Sequence, residues 1–282
     1  MEKQTRDYQV EAVEIGLSIL NSKSKKNGLL VEPTAAGKSH IVAEIANRFD
    51  KPLLCIQPSK ELLEQNYEKL LLTGSTATIY SASLKKKELS HLTFGTIGSL
   101  ISAVEEIKKM GIKHIILDEA HLMSKRGTQI RKLIKQVGIT HVLGLTATAV
   151  YLDSGFEGAQ INMITDTWGS LFKSINHLTQ IKHLVDNNYW SKLSYKIINQ
   201  DESKLVVNKS GSDYNLDSLS AFFKQNDLEK QTVVEVMHLV AEGRKSILVF
   251  VPNIEEAISL SKKISISRVL HSGTPTAERD EI

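Results

Sequence analysis

Over the first half of the chain, short uninterrupted apolar runs alternate with longer stretches of helical periodicity. Strand-like runs fall at 28–32, 52–57, 77–80, 92–95, 113–117 and 141–145, and helical patterns fill 38–49, 60–72, 98–110 and 127–137. An amphipathic helical pattern over 8–20, with apolar Val10, Val13, Ile15, Leu17 and Leu20, precedes them. Strands that are apolar throughout and alternate with helices predict an α/β fold with a parallel sheet covered on both faces. In such sheets ligands bind where strands end at the carboxyl edge.

From residue 150 to 243 the periodicity weakens and Asn, Asp and Ser become frequent, with a loop-like Asn208-Lys209-Ser210-Gly211-Ser212-Asp213. Helices are expected at 170–188 and 216–241. The pattern restarts at Ser246: 247–251 and 267–271 read as strands, 254–264 as a helix, and a further helix begins at Thr276. The expected organisation is a first α/β domain over 1–150, a connector with accessory helices over 151–243, and a second domain starting at 244. That second domain is incomplete at Ile282, which reads as a truncation.

Composition narrows the class only a little. The 282 residues are 41% hydrophobic and 24% charged, ordinary values for a soluble globular chain. A net charge of +3 leaves nucleic-acid binding to a local groove. The single cysteine, Cys55, lies in the apolar run 53–56 and reads as a buried structural thiol; no zinc-type spacing exists. The polar N-terminus is no signal peptide, and no apolar stretch reaches membrane-spanning length. A cytoplasmic protein without a membrane partner is expected.

Two of the strand ends carry chemistry. After Leu29-Leu30-Val31 comes Pro33-Thr34-Ala35-Ala36-Gly37-Lys38-Ser39, followed by His40. A tight turn leading into a helix N-terminus offers inward backbone N–H groups to a phosphate. Gly37 supplies backbone freedom, Lys38 reaches the β- and γ-phosphates, and the Ser39 hydroxyl ligates magnesium. The general pattern has a glycine five residues before Gly37, where this chain has Glu32. An ordinary strand-to-helix turn explains this segment alone equally well.

After Ile115-Ile116-Leu117 comes Asp118-Glu119-Ala120-His121. Two adjacent acids at the end of a buried strand need a partner, because desolvating a carboxylate is costly. Magnesium is a natural one: Asp118 would hold it and Glu119 would orient and deprotonate a water. Acids at a helix N-terminus favoured by its dipole would explain this segment but not both at once. The pair of segments therefore points to hydrolysis of a nucleoside triphosphate, with ATP and Mg as cofactors.

The segment Asp118-Glu119-Ala120-His121 resembles the DEAH form of motif II of superfamily two helicases, and other signatures follow in the same order. Arg6-Asp7-Tyr8-Gln9 resembles the adenine-reading Q motif. Pro58-Ser59-Lys60-Glu61-Leu62 resembles motif Ia, and residues 94–100, beginning Phe94-Gly95-Thr96, resemble motif Ib. Gly144-Leu145-Thr146-Ala147-Thr148-Ala149 resembles motif III, and Phe250-Val251-Pro252-Asn253 motif IV. The stretch 271–280, beginning His271-Ser272-Gly273-Thr274, resembles the next phosphate-contacting segment. The overall spacing is similar to that of RadD-type bacterial DNA-repair helicases.

The resemblance implies a RecA-like P-loop domain and the start of a second one. It implies nucleotide contacts for Arg6, Gln9, Thr34, Ala35, Ala36, Gly37, Lys38, Ser39 and His40, metal ligation by Ser39 and Asp118, and catalysis by Glu119 with Lys38 and Asp118. His121, Thr146 and Thr148 would link the nucleotide to domain closure. Ser59, Lys60, Thr96, Ser99, Asn253, Ser272 and Thr274 would follow the phosphates of a DNA strand, single or at a duplex junction, with repair proteins as possible partners. For each hydroxyl taken alone, a helix cap is the commoner role. Family members commonly carry glycine where Ala35 stands, so a slightly reshaped loop is expected. The expected activity is an ATP-driven motor on DNA. Two alternatives stand beside it: a nucleotide-gated DNA-binding fragment with little turnover, since the family's arginine-bearing motifs would lie beyond Ile282, and a P-loop transferase acting on tRNA. Lys85-Lys86-Lys87 reads as a solvated face, and Trp168 and Trp190 as packing residues.

Overall fold

The computed structural model describes residues 5–123, 128–155, 158–166, 169–195, 200, 205–206, 208 and 214–281. The chain divides into two compact units, one of Met1–Leu152 with Ile161–Ser194 and one of Asp153–Gln160 with Tyr195–Ile282.

The first unit is built on an eight-stranded sheet. Its strands in chain order are β1 (Lys26–Val31), β2 (Leu53–Gln57), β3 (Thr78–Ser81), β4 (Lys86–Lys87), β5 (Leu92–Thr96), β6 (His114–Leu117), β7 (His141–Thr146) and, after the hairpin described below, β10 (Ile175–Leu178). Their spatial order is β10-β1-β7-β6-β2-β5-β3-β4. Every pairing is parallel except the antiparallel β3–β4. The helices are α1 (Asp7–Leu20), α2 (Lys38–Arg48), α3 (Lys60–Leu71), α4 (Ile97–Leu100), α5 (Val104–Lys109), α6 (Ala120–Met123), α7 (Gln129–Val137) and α8 (Ile181–Asp186). Strands β8 (Val150–Gly155) and β9 (Gly158–Met163) pair with each other in a separate two-stranded sheet. The pattern over 150–163 had not marked them as strands.

Alternation along the central strands sorts their side chains to two faces. Leu30, Leu53, Cys55, Ile116, Leu143 and Leu145 pack with residues of α1, α2 and α3, whereas Leu29, Val31, Leu54, Ile56, Ile115 and Leu117 pack with residues of α5 and α7. Burial holds the Cys55 thiol well above its ordinary pKa, as expected of a structural cysteine. This is an α/β fold with a mostly parallel, RecA-like sheet.

The expected helix over 170–188 is corrected. Its first part is β10, which extends the sheet beside β1, and only residues 181–186 are helical, as α8. The segment Ile175-Asn176-His177-Leu178 has a half-polar alternation suited to an edge strand. The amide of Asn176 joins this edge: its Oδ1 accepts from the Leu29 N–H at 3.0 Å. Lys86 and Lys87 form the opposite edge strand and are exposed, as lysines that block edge pairing are. Trp190 packs beside Tyr8, Ala36 and Leu184; Trp168 lies outside the described residues, as does most of the 208–213 loop.

In the second unit the helices are α9 (Leu216–Gln225), α10 (Leu228–Ala241), α11 (Ile254–Lys263) and α12 (Thr276–Glu281). The helix expected over 216–241 is interrupted at Asp227, whose φ of 52° cannot continue it. The strands expected at 247–251 and 267–271 are not formed. Ile247 and Val251 pack toward Val236, Leu260 and Ile264, while Leu248 and Phe250 are 79% and 86% exposed. A strand needs hydrogen-bonded neighbours, and an apolar run without them does not become one.

Candidate functional site

The sheet order explains how segments far apart in sequence meet. β7 lies between β1 and β6, and its register pairs Val31 with Thr146 on one side and Leu117 with Gly144 on the other. The turn after β1 and the acids after β6 therefore flank Thr146 at one carboxyl edge. The Glu32 N–H continues the ladder to the Thr146 carbonyl at 2.8 Å, and the Asp118 N–H reaches the Ile56 carbonyl at 3.0 Å.

The first turn is held from outside. Tyr8 donates its hydroxyl, and Gln9 its amide Nε2, to the Ala36 carbonyl, each at 2.8 Å. Gln9 Oε1 accepts from the Arg6 N–H at 3.0 Å, so both ends of this buried amide serve the protein's own backbone. The Arg6 guanidinium lies 4.4 Å from the ring centre of Tyr189 and donates to the Tyr8 hydroxyl at 3.0 Å. Gly37 caps α2 with φ of 93°, and a Cβ there would stand 2.4 Å from Gln9 Nε2. Glycine suits the conformation, and a side chain here would also displace the Gln9 amide from the Ala36 carbonyl. Ala35 takes φ of 62°. The alanine itself accepts a left-handed conformation here. Thr34 and Ala35 are exposed, Lys38, Ser39 and His40 half-buried, and His40 Nε2 lies 3.3 Å from the Thr5 hydroxyl.

The acids meet this turn. Lys38 Nζ is 3.3 Å from Glu119 Oε1. Glu119 has φ of 46°, a left-handed backbone that non-glycine residues adopt only under constraint. Asp118 is 3% exposed. Its Oδ2 accepts from Asn66 Nδ2 at 2.8 Å and its Oδ1 from the Glu119 N–H at 2.9 Å. Burial raises its pKa above the usual carboxylate value, opposed by the Asn66 hydrogen bond, and Lys38 also favours the charged form. Asn66 was missed from the sequence: an amide on a helix carries no motif, and only its lack of exposure in three dimensions marks it.

A third set of contacts runs from the acids to β7. His121 Nδ1 lies 3.4 Å from Glu119 Oε2 and 2.8 Å from the Thr146 hydroxyl. Thr146 donates its hydroxyl to the Thr148 carbonyl at 2.9 Å. Burial lowers the His121 pKa below its ordinary value, against the pull of Glu119. The imidazole thereby links the acid to the strand.

The residues assigned to a DNA strand have visible structural duties. The Ser59 hydroxyl caps α3 by accepting from the Leu62 N–H at 3.4 Å. The Ser99 hydroxyl accepts from the Ala82 N–H at 2.9 Å and lies 3.0 Å from the Thr96 hydroxyl. Lys60 is half-buried at the start of α3. In the second unit Asn253 caps α11 by accepting from the Glu256 N–H at 2.9 Å, and the Thr274 hydroxyl accepts from the His271 N–H at 3.0 Å. The Ser272 carbonyl accepts from Arg279 Nη2 at 3.3 Å.

Among the described residues no cluster of three or more His, Cys, Asp or Glu could hold a metal alone. The donor set nevertheless fits magnesium shared with phosphates, which takes only one or two protein oxygens: a nearly buried carboxylate, oriented by an amide and with a lysine beside it, is otherwise under-compensated. The turn likewise fits a phosphate, with a helix N-terminus behind it.

The family model described as type III restriction enzyme, res subunit, matches residues 2–150. Over 147 residues the chain is 29% identical to a protein named DNA 3'-5' translocase XPB2 from Sulfurisphaera tokodaii, covering 51% of this chain and 30% of that protein. Over 171 residues it is 23% identical to chromodomain-helicase-DNA-binding protein 8 of Danio rerio, covering 51% of this chain and 7% of that protein. The chain thus spans less than a third of the length of either relative. Solved structures similar in fold include the Sulfolobus solfataricus SWI2/SNF2 ATPase core in complex with dsDNA, at 18% identity and a TM-score of 0.43, with 52% of this chain and 33% of that chain covered. Another is the UvsW helicase from bacteriophage T4, at 23% identity and a TM-score of 0.41, with 51% and 52% covered.

Proposed function

The chain belongs to the family described as type III restriction enzyme, res subunit, and from that premise we propose that its first unit binds and hydrolyses Mg-ATP and couples the hydrolysis to movement along DNA. The observation that carries the proposal is the meeting of Lys38 with Glu119 at 3.3 Å, beside a buried Asp118. Three residues from two strand ends supply the parts of a triphosphate hydrolase at one edge of the sheet.

In this reading Lys38 and the loop N–H groups hold the phosphates, and Ser39 and Asp118 hold magnesium. The bound metal would neutralise charge on the phosphates during transfer. Glu119 orients the attacking water and accepts its proton. His121, placed between Glu119 and Thr146, passes the state of the acid to β7 and Thr148. Arg6 and Tyr189 offer a cation and a ring face to the base, and Gln9 sets the loop beside it. Ser59, Lys60, Thr96 and Ser99 lie on the helix starts after β2 and β5, where hydroxyls and N–H groups meet phosphates without reading sequence. Asn253, Ser272 and Thr274 would extend that path on the second unit. A DEAH-type helicase or translocase of DNA repair, close to the RadD type, is the finer form of the proposal.

The test is ATP hydrolysis by the purified chain with and without single-stranded and duplex DNA, for the wild type and Lys38→Ala. DNA-stimulated turnover that Lys38→Ala abolishes, with circular dichroism unchanged, is the expected result. Nucleotide binding that tRNA but not DNA enhances would overturn the motor reading.

A further inference from the structure

Glu32 has no role in the function proposed above, on which this inference rests for the loop's occupant. It stands immediately before the loop, where the general phosphate-loop pattern has glycine, and it is wholly buried. Neither carboxyl oxygen has a hydrogen-bond partner of good geometry. The groups that face it come from three elements. From β10 and its end, His177 Nε2 lies 3.3 Å from Oε1, and the Thr179 hydroxyl favours the charged form. From α2, Lys38 acts on it through space and favours the carboxylate; from α1, Glu11 opposes the charge, and Tyr8 also feels it. Beyond His177 lies a cavity of about 340 Å³ lined by Asp7, Glu11, Thr179 and His183 among others.

His177 bridges the interior and this cavity. Its Nδ1 is 3.9 Å from Oε1 of Glu11, whose side chain is 68% exposed, while His177 itself is 7% exposed. Burial lowers the His177 pKa, and Glu11 partly restores it. Burial also pushes the Glu32 carboxyl up to about 7 from an ordinary 4.5. A buried carboxylate with no formal cation against it is costly, whereas the neutral acid is not. Any charge placed at Glu32 sits beneath the loop that must receive a polyanion, and in low dielectric it is felt strongly there.

We propose that Glu32 is a positioning residue that gates the phosphate loop: as the neutral acid it lets the loop take a triphosphate, and as the carboxylate it draws on Lys38 and repels the anion, with His177 as its path for protons to solvent. The step is a simple exchange. His177 Nε2 lies 3.3 Å from Oε1 and 3.2 Å from the Thr179 hydroxyl; when the carboxyl group turns into hydrogen-bonding geometry its proton passes to Nε2 as the Nδ1 proton leaves toward Glu11 and water, and the reverse reloads it.

The experiment is calorimetric binding of Mg-ADP and of a non-hydrolysable Mg-ATP analogue between pH 6 and 8.5, to the wild type and to Glu32→Gln. Gln is isosteric and carries no titrating proton, so both proteins share the nucleotide's own titration. For the wild type, Kd is expected to rise above pH 7 toward about tenfold per pH unit, the limit for one linked proton. Glu32→Gln is expected to lose that excess slope and to bind about fivefold or more tightly than the wild type at pH 8. Parallel curves for the two proteins overturn the gate. A wild-type Kd constant across the range overturns it as well, even if the variant does not fold. Absence of nucleotide binding by the wild type at every pH removes the proposed function itself, and the gate with it.

Discussion

Lys38 Nζ rests 3.3 Å from Glu119 Oε1, with the two side chains only 15% and 19% exposed. The ammonium that should receive phosphate is therefore already paired with the acid that should activate water. An arriving triphosphate competes with Glu119 for Lys38, and opening the pair frees the carboxylate for its proposed task. Glu119→Gln removes the competitor and the base together. ATP should then bind about two- to tenfold more tightly, while turnover falls by roughly 10²–10⁴. Calorimetry and a steady-state ATPase assay check both numbers; turnover within a factor of two of wild type would exclude Glu119 as the base.

The chain of contacts from Glu119 through His121 to Thr146 and Thr148 joins the acid to a fully buried strand end. Thr146→Val keeps the volume and deletes the hydroxyl that meets His121 at 2.8 Å. Basal hydrolysis should change by less than about threefold, because no group placed on the nucleotide is lost, whereas DNA stimulation should disappear. Comparing turnover with and without DNA tests this. Equal loss of both rates would place Thr146 in the chemistry itself, and an unchanged stimulation ratio would leave the contact purely structural.

The central strands and the two motif-bearing strand ends were legible in the sequence because a buried parallel strand is apolar throughout and ends abruptly. β1, β6 and β7 each carry such a buried run up to the motif or the strand end: Leu29-Leu30-Val31, Ile115-Ile116-Leu117 and Val142-Leu143-Gly144-Leu145. β10 broke it. An edge strand with Asn176 and His177 in its middle has the polarity of a loop or a helix face, and only its pairing with β1 reveals it. Of the residues gathered at this edge, Lys38, Asp118 and Glu119 lie in local motifs, whereas Asn66 and Tyr189 carry none, since each touches a neighbour distant in sequence. The apolar run 247–251 shows the opposite error: its composition is that of a strand, but composition cannot supply the partner that makes it one.

Asn66 holds Asp118 by donating Nδ2 to Oδ2 at 2.8 Å, inside the protein. Removing such an orienting partner typically costs about 10–100-fold in metal affinity. For Asn66→Leu the magnesium concentration at half-maximal ATPase should rise by about tenfold or more, with the maximal rate at saturating magnesium recovering most of its value. A magnesium titration of turnover is sufficient. A half-saturation point equal to that of the wild type would show that Asp118 keeps its orientation without the amide.

Ala35 occupies φ of 62° in the phosphate loop. For an L-residue with a Cβ this conformation costs roughly 1–2 kcal/mol, and glycine does not incur it. Glycine also loses more backbone entropy on folding, by about 0.5–1 kcal/mol. The difference predicts that Ala35→Gly stabilises the first unit by roughly 0.5–1 kcal/mol in urea unfolding. Destabilisation of that size would mean that the unfolded-state term dominates at this position.

Stability should also carry the signature of Glu32. Its folded-state pKa lies near 7, above the ordinary 4.5 of an unfolded chain. A raised carboxyl pKa means that the native state keeps a proton the unfolded state has released. Between those two values the native state binds more protons, so stability falls as pH rises from 4.5 to 7, and is flat on either side. The full drop is roughly 3 kcal/mol, from two and a half pH units at about 1.36 kcal/mol each. Glu32→Gln removes this one titration and leaves every other group in place. Its stability minus that of the wild type should therefore grow by roughly 3 kcal/mol across the window and then stop growing. Urea titrations at half-unit steps from pH 4.5 to 8 resolve the curve. A constant offset between the two proteins would mean that the Glu32 carboxyl titrates as it does in the unfolded chain, and that its burial is relieved by a conformation other than this one.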